Sequence, residues 1–230
     1  MKRFFPFLFV ALLTISCGPS SPTSSGSVAF SWSGPIILSA IESISAGTEI
    51  AFTEIATSSG PVTNAAVTLS YSGAAVPLSY QASTSYPVTY SGSVTVLSLA
   101  YYTNSSFTYT AGQPYTITAA FGGSTYSAYT TAVGIPVFSP GGSSNLVCTW
   151  TGGGNEDAIT AMETISPYTT KIFGPSSLTS PYRIANSSLP GATGKNNVIA
   201  SINNLNSSAF SGTSNGSYLL ASSQATTLSY

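Results

Sequence analysis

Apolar residues alternate with hydroxyl residues through much of this chain, and that alternation restricts the fold more than any other feature. Val67-Thr68-Leu69-Ser70-Tyr71 and Tyr115-Thr116-Ile117-Thr118-Ala119 are two clear cases. A period of two puts one set of side chains on each face of an extended strand, so these segments read as strands with one buried face. Turn signals separate them: Ser59-Gly60-Pro61, Ser72-Gly73, Ser91-Gly92, Asn104-Ser105-Ser106, Gly112-Gln113-Pro114 and Gly122-Gly123. Short strands at this spacing predict an all-β fold, a sandwich or a barrel. Segment 36–44 has apolar residues near helical spacing, and an isoleucine-rich strand explains it as well.

Charge is scarce. Only 5% of residues are Asp, Glu, Lys or Arg, whereas Ser and Thr number 43 and 29, so hydroxyls rather than charges keep the surface wet. The basic residues are Lys2, Arg3, Lys171, Arg183 and Lys195, with none between Gly18 and Thr170. Binding nucleic acid requires a basic patch to neutralise phosphates, and anionic lipid headgroups require the same. Neither partner is expected. Hydrophobic residues are 43% and aromatics 12%, enough for packed cores.

The first seventeen residues have a separate logic. Lys2-Arg3 precede an apolar run from Phe4 to Ile15, and Ser16-Cys17 follow. The run falls short of the ~20 apolar residues a spanning helix needs, and the layout is that of a secretory signal peptide. Thr14-Ile15-Ser16-Cys17 resembles the lipobox of bacterial lipoproteins, with Thr14 where the family has leucine. The resemblance implies cleavage between Ser16 and Cys17 and acylation (palmitate-type chains) of Cys17. Two or more chains hold a protein stably on a bilayer. Gly18 rather than aspartate after the cysteine implies the outer membrane or cell surface in an organism that has one. Residues 18–27, Gly-Pro-Ser-Ser-Pro-Thr-Ser-Ser-Gly-Ser, read as a flexible tether.

An internal match divides the rest. Val28-Ala-Phe-Ser-Trp32-Ser-Gly34 resembles Leu146-Val-Cys-Thr-Trp150-Thr-Gly152, and these segments hold the only two tryptophans. The expected organisation is a signal peptide (1–16), lipidated Cys17 and tether (17–27), a β-domain over 28–134, a linker over 135–145, and a second β-domain over 146–230. The first has strand candidates at 28–33, 48–56, 66–71, 76–80, 94–102, 107–110, 115–121 and 125–133. The second has them at 146–151, 158–165, 182–185, 197–202, 218–221 and 226–230, and Asn155-Glu156-Asp157 could cap a short helix. Pro61–Ser70, with Asn-Ala-Ala-Val-Thr-Leu, and Tyr109–Thr118, with Gly-Gln-Pro-Tyr-Thr-Ile, are similar to strands of immunoglobulin-like modules in bacterial surface proteins. That resemblance implies two tandem Ig-like or fibronectin-III-like antiparallel β-sandwiches.

Residues suited to catalysis are few. The chain has no histidine, so a Ser-His-Asp triad is impossible. The six acids are Glu42, Glu49, Glu54, Glu156, Asp157 and Glu163; a glycoside hydrolase would need two of them ~5–10 Å apart. Gly191-Ala-Thr-Gly194-Lys195-Asn lacks the phosphate-loop spacing, and Gly152–Asp157 lacks that of an EF-hand. If Cys17 is acylated, Cys148 has no partner in the chain, and its run Leu-Val-Cys-Thr-Trp suits burial. No enzyme activity, cofactor or metal is expected. Tyrosines crowd the first half, and a flat ring with a polar tip suits recognition of sugars or proteins. The candidate contacts are Tyr101, Tyr102, Tyr126 and Tyr129. The expectation is a lipid-anchored envelope protein, either a binding or structural module or a carbohydrate-binding accessory component, whose partners are the membrane, a glycan or another envelope protein.

Overall fold

The computed structural model describes residues 33–44, 48–90, 93–142, 145–152, 154–165, 168–174, 178–192, 194–207, 209–214, 216–227 and 230, with backbone alone for 86–90 and 93–95. Cys17, Ser16, the tether and the expected strand at 28–33 lie outside these residues, apart from Ser33. Fifteen strands account for most of the described chain. They are β1 (Ile36–Ile44), β2 (Thr48–Thr57), β3 (Gly60–Pro61), β4 (Ala66–Tyr71), β5 (Ala74–Tyr90), β6 (Ser93–Asn104), β7 (Pro114–Phe121) and β8 (Ser124–Thr131) in the first half. The second half holds β9 (Val137–Pro140), β10 (Asn145–Thr149), β11 (Ala158–Glu163), β12 (Thr170–Phe173), β13 (Tyr182–Ala185), β14 (Asn196–Asn206) and β15 (Tyr218–Thr227). Among the described residues there is no α-helix; Asn186–Ser188 form one 3₁₀ turn. The all-β class is therefore as expected.

The turn chemistry works locally as the sequence suggests. Ser72 and Gly73 both have positive φ, as do Gly122 and Gly123. Such pairs give tight turns whose twist matches the flanking strands, and they close the β4–β5 and β7–β8 hairpins. On outward faces hydroxyls pair across strands, as Thr118 with Ser127 at 3.1 Å and Ser85 with Ser98 at 3.0 Å.

Hydrogen bonding joins twelve strands in one path, β12-β11-β14-β15-β1-β2-β6-β5-β4-β7-β8, with β3 on β2. Among the described residues all pairings are antiparallel except β1 with β15, which is parallel from Leu38↔Tyr218 to Ile44↔Gln224. The backbone ladder thus crosses between the halves expected as separate units. Strand β5 is long because it serves two neighbours. Val67–Tyr71 pair with Leu78–Ala74, and from Ser79 the strand pairs along β6, with an irregularity between Tyr80 and Ala82. A bulge of this kind bends the ladder, and β4, β7 and β8 come to lie over the face of β1, β2 and β15.

Two apolar cores fill the space on that face. In the first, Ile37 and Ile41 of β1, Ile55 of β2 and Leu219 of β15 meet Leu69 of β4, Ile117 of β7 and Ala128 of β8. In the second, Leu146 and Cys148 of β10, Trp150 just beyond that strand and Ile184 of β13 meet Ile159 of β11 and Val198, Ala200 and Ile202 of β14. Register puts both on the same side of the long sheet. Ile202 opposes Ser223, Ser223 opposes Ser43, and Ser43 shares its face with Ile41 and Ile37. Each fully buried Ile or Leu contributes about 1.5–3 kcal/mol, so each core stabilises the stretch of sheet beneath it. The three-stranded sheet β13-β10-β9 forms the second cover.

Several expected elements differ. The span 135–145 is not simply a linker: Val137–Pro140 form β9 at the edge of the small sheet, paired with Leu146–Thr149. Residues 107–110 are not a strand. Phe107 and Tyr109 turn into the first core, and the Tyr115 hydroxyl bridges the Thr110 N–H and the Thr108 carbonyl. The candidate at 218–221 and the start of the one at 226–230 belong to one strand, β15, which ends at Thr227 and which a central position lets run as a largely buried segment. Ile36–Ile44 is a strand buried on both faces, which is why it lacks alternation. Asn155–Asp157 cap no helix; the Asn155 and Glu156 N–H groups both donate to the Asn203 carbonyl.

Candidate functional site

The acids are spread over both halves of the chain, and two of them are deeply buried. Glu42 and Glu54 are 3% and 1% exposed. They share a face of the long sheet, but Glu54 opposes Leu38, four positions from Glu42. At the rise of a strand that sets their backbones about 13 Å apart along the sheet. Burial pushes the Glu42 carboxyl up to about 7. Glu54 accepts a hydrogen bond from the Thr84 hydroxyl at 2.6 Å. Asp157 sits in the other half, where its Oδ1 accepts from the Asn203 N–H at 3.0 Å and burial raises its pKa. Glu49 lies on β2 with its side facing away from Glu54, and Glu163 sits beside Gly191. Among the described residues no three acidic or sulfur ligands come together. Cys148 is fully buried in the second core, and burial pushes its thiol up to about 12, so the nucleophilic thiolate is suppressed.

The four candidate tyrosines do not form one cluster. Neighbouring residues on a strand face opposite ways, and this separates Tyr101 from Tyr102 on β6. Tyr102 is a core residue and not a surface contact. Its hydroxyl donates to the Val62 carbonyl at 2.6 Å and accepts from the Ala65 N–H at 2.9 Å, pinning the β3–β4 turn. Tyr101 is half-buried against Phe52, with ring centroids 5.9 Å apart. Tyr126 is partly buried and stacks on Phe121 at 5.0 Å. Only Tyr129 is presented to solvent, at 70% exposure.

Tyr129 lies on β8, the last strand of the sheet path, where β8 passes over β14 and β15. Two adjoining depressions, of ≈ 340 and ≈ 360 Å³, open at this crossing and share Thr131 and Asn204. The outer one is lined by Tyr129, Thr130, Asn155, Asn204, Asn206 and Ser207, among others. The inner one reaches Gly112, Val133, Thr151 and Gly152. Among the described residues no charged side chain lines either.

The groove walls are held by specific bonds. The Asn155 side chain pairs with the Leu205 backbone in both directions, donating to its carbonyl and accepting from its N–H at 2.8 Å each. Asn204 Nδ2 makes a long contact of 3.4 Å with the Thr131 carbonyl, tying β14 to the end of β8. Behind them the Tyr109 hydroxyl accepts from the Val133 N–H at 2.9 Å and donates to the Val133 carbonyl at 3.1 Å. The Ser223 hydroxyl donates to the Gly134 carbonyl at 2.6 Å. A Cβ at Gly134 would collide with the Thr151 carbonyl, so glycine is required where the chain passes from one half to the other.

Sequence reasoning missed this asparagine wall. Its only local signal was the run Asn203-Asn204-Leu205-Asn206, whose amides gain a role once β8 crosses over them. No protein-family model matches the chain, and no curated protein matches it.

Proposed function

We propose that this is a lipid-anchored bacterial envelope protein, non-enzymatic, that holds a neutral, hydroxyl-rich ligand of the carbohydrate class in the groove between β8 and β14. Its body is read as immunoglobulin-like β-sandwich material carried on acylated Cys17. The single observation that carries the ligand reading is Tyr129, an exposed aromatic ring at the lip of an uncharged, amide- and hydroxyl-lined groove. A flat ring can cover the apolar face of a sugar, while amides and hydroxyls satisfy its hydroxyl groups. A charged ligand would find no counter-charge there. The anchor reading rests on Lys2-Arg3, the apolar run and Ser16-Cys17.

The test is retention of the mature chain, carrying Cys17→Ser, on a panel of immobilised polysaccharides and on a glycan array. Losing one aromatic contact of about 1 kcal/mol weakens binding roughly five-fold. Tyr129→Ala should therefore reduce retention by that order. No retention of the parent chain on any polymer, or equal retention of Tyr129→Ala, overturns the ligand reading. Mass spectrometry of the mature N-terminus, compared with Cys17→Ala, tests the anchor; an unmodified N-terminus in the parent chain overturns it.

A further inference from the structure

Thr131 and Asn204 line both depressions of the groove, so the contact between these two residues divides it. That contact is one hydrogen bond from Asn204 Nδ2 to the Thr131 carbonyl, at 3.4 Å. Such bonds ordinarily span about 2.7–3.2 Å, so the divider is weak. Among the described residues it is the sole hydrogen bond of the Asn204 side chain. The backbone on either side of Asn204 is fixed. The Asn203 N–H donates to Asp157 Oδ1 at 3.0 Å, and the Asn203 side chain donates to the Glu156 carbonyl at 2.8 Å. The Leu205 N–H and carbonyl are both clamped by the Asn155 amide. Leu205 packs on the opposite face of the long sheet, which turns Asn204 toward β8. Asn155 has both ends of its amide engaged and acts as scaffold. Asn204 is a loose amide on a rigid base, the arrangement that suits a ligand contact.

We propose that the two depressions form one site for a linear chain of two or more neutral sugar units, and that Asn204 sets the register of that chain by swinging from Thr131 onto its hydroxyls. This rests on the carbohydrate reading of the groove. Size is the first support. At ≈ 340 and ≈ 360 Å³, each depression alone sits near the lower bound of the ~300–1,000 Å³ that ligand sites occupy, and joined they reach the middle of that range.

The layout is the second. Asn204 and Asn206 lie on the same side of β14, about 7 Å apart, along the outer depression. Beyond Asn204 the inner depression runs on to Gly112 and Gly152. Both glycines border open space, since a Cβ built on either meets nothing within 4 Å. The inner wall is held as firmly as the outer. The Gly112 N–H donates to the Ala132 carbonyl at 2.8 Å, and the Ala132 N–H donates to the Gln113 carbonyl at 2.9 Å. An amide both donates and accepts, so one that stands where two sugar units meet can bond a hydroxyl on each.

The test titrates soluble cello-, malto-, xylo-, manno- and chito-oligosaccharides of one to six units into the mature chain carrying Cys17→Ser, followed by calorimetry. The oligomers of any other polymer that retains the chain are added to the set. From one unit to three, affinity should rise about ten-fold, the gain of one or two further hydrogen bonds. Asn204→Ala should weaken the three-unit oligomer about five-fold, with the urea midpoint unchanged. Ala111→Trp fills the inner depression from an exposed turn and should flatten the rise with length. Equal affinity for one unit and three, or full affinity for three units in both variants, overturns the inference and leaves the ligand reading standing, since the parent chain still binds sugar. Binding of no oligomer overturns it too, and retention on the polymers then decides whether the ligand reading falls with it.

Discussion

Removing the Glu42 carboxyl tests how dry the middle of the long sheet is. Glu42 lies on β1 between Ile50 of β2 and Ser222 of β15, and only 3% of it reaches solvent. Burial alone pushes its carboxyl from 4.5 up to about 7, because a charge taken out of water loses its hydration. Between these two values the native state keeps a proton that the unfolded chain has given up. The contribution to stability is therefore complete below about 4.5 and falls as the pH rises to about 7. One unit of pKa corresponds to about 1.4 kcal/mol, so the full loss is about 3 kcal/mol. Glu42→Gln keeps the shape and cannot ionise.

The assay is urea unfolding of both chains at several pH values, followed by circular dichroism. At low pH the two should be nearly equal. The variant should gain as the pH rises, reaching about 3 kcal/mol above pH 7, or roughly 1–2 M in midpoint. Asp157, whose carboxyl burial also raises, is present in both chains and cancels. A difference that stays constant across the range would refute the reasoning, since a lost or gained contact does not depend on this proton.

Three further outcomes follow from the same structure. Tyr109→Phe leaves the buried Val133 N–H without its acceptor and should cost about 1–3 kcal/mol in denaturant unfolding. Cys148, fully buried with its thiol held up at about 12, should resist iodoacetamide in the native chain at neutral pH and react once urea unfolds it; quick native labelling would show the second core to be open. Ile117→Ala removes a fully buried side chain from the first core and should lower stability by about 2–5 kcal/mol, read from the same urea curves.

Local chemistry explains what could be read directly. Val67–Tyr71 and Tyr115–Ala119 alternate because one face of β4 and of β7 meets a core and the other meets water or hydroxyl neighbours. Ser72-Gly73 and Gly122-Gly123 announce hairpins because positive φ at two successive positions suits few other pairs. Cys148 and Trp150 sit in an apolar run and are buried as that run suggests. Where a strand lies between neighbours and under cover on both sides, the pattern fades. Ile36–Ile44 carries apolar residues on both faces and gives no sign of which face meets which core.

The amino-acid sequence by itself determined the β class, most of the strands and turns, and a surface kept wet by hydroxyls. These depend on period and turn propensity over a few residues. Tertiary structure decided the rest. It paired Leu38 with Tyr218, 180 positions away, in a parallel ladder. It put Tyr102 in a core and left Tyr129 exposed, and it made a groove wall of Asn204 and Asn206 by passing β8 across them. A strand's alternation says that it has two faces. Which chain segment meets each face is fixed only when distant strands close on one another, because every partner with a matching apolar stripe satisfies the local pattern equally well.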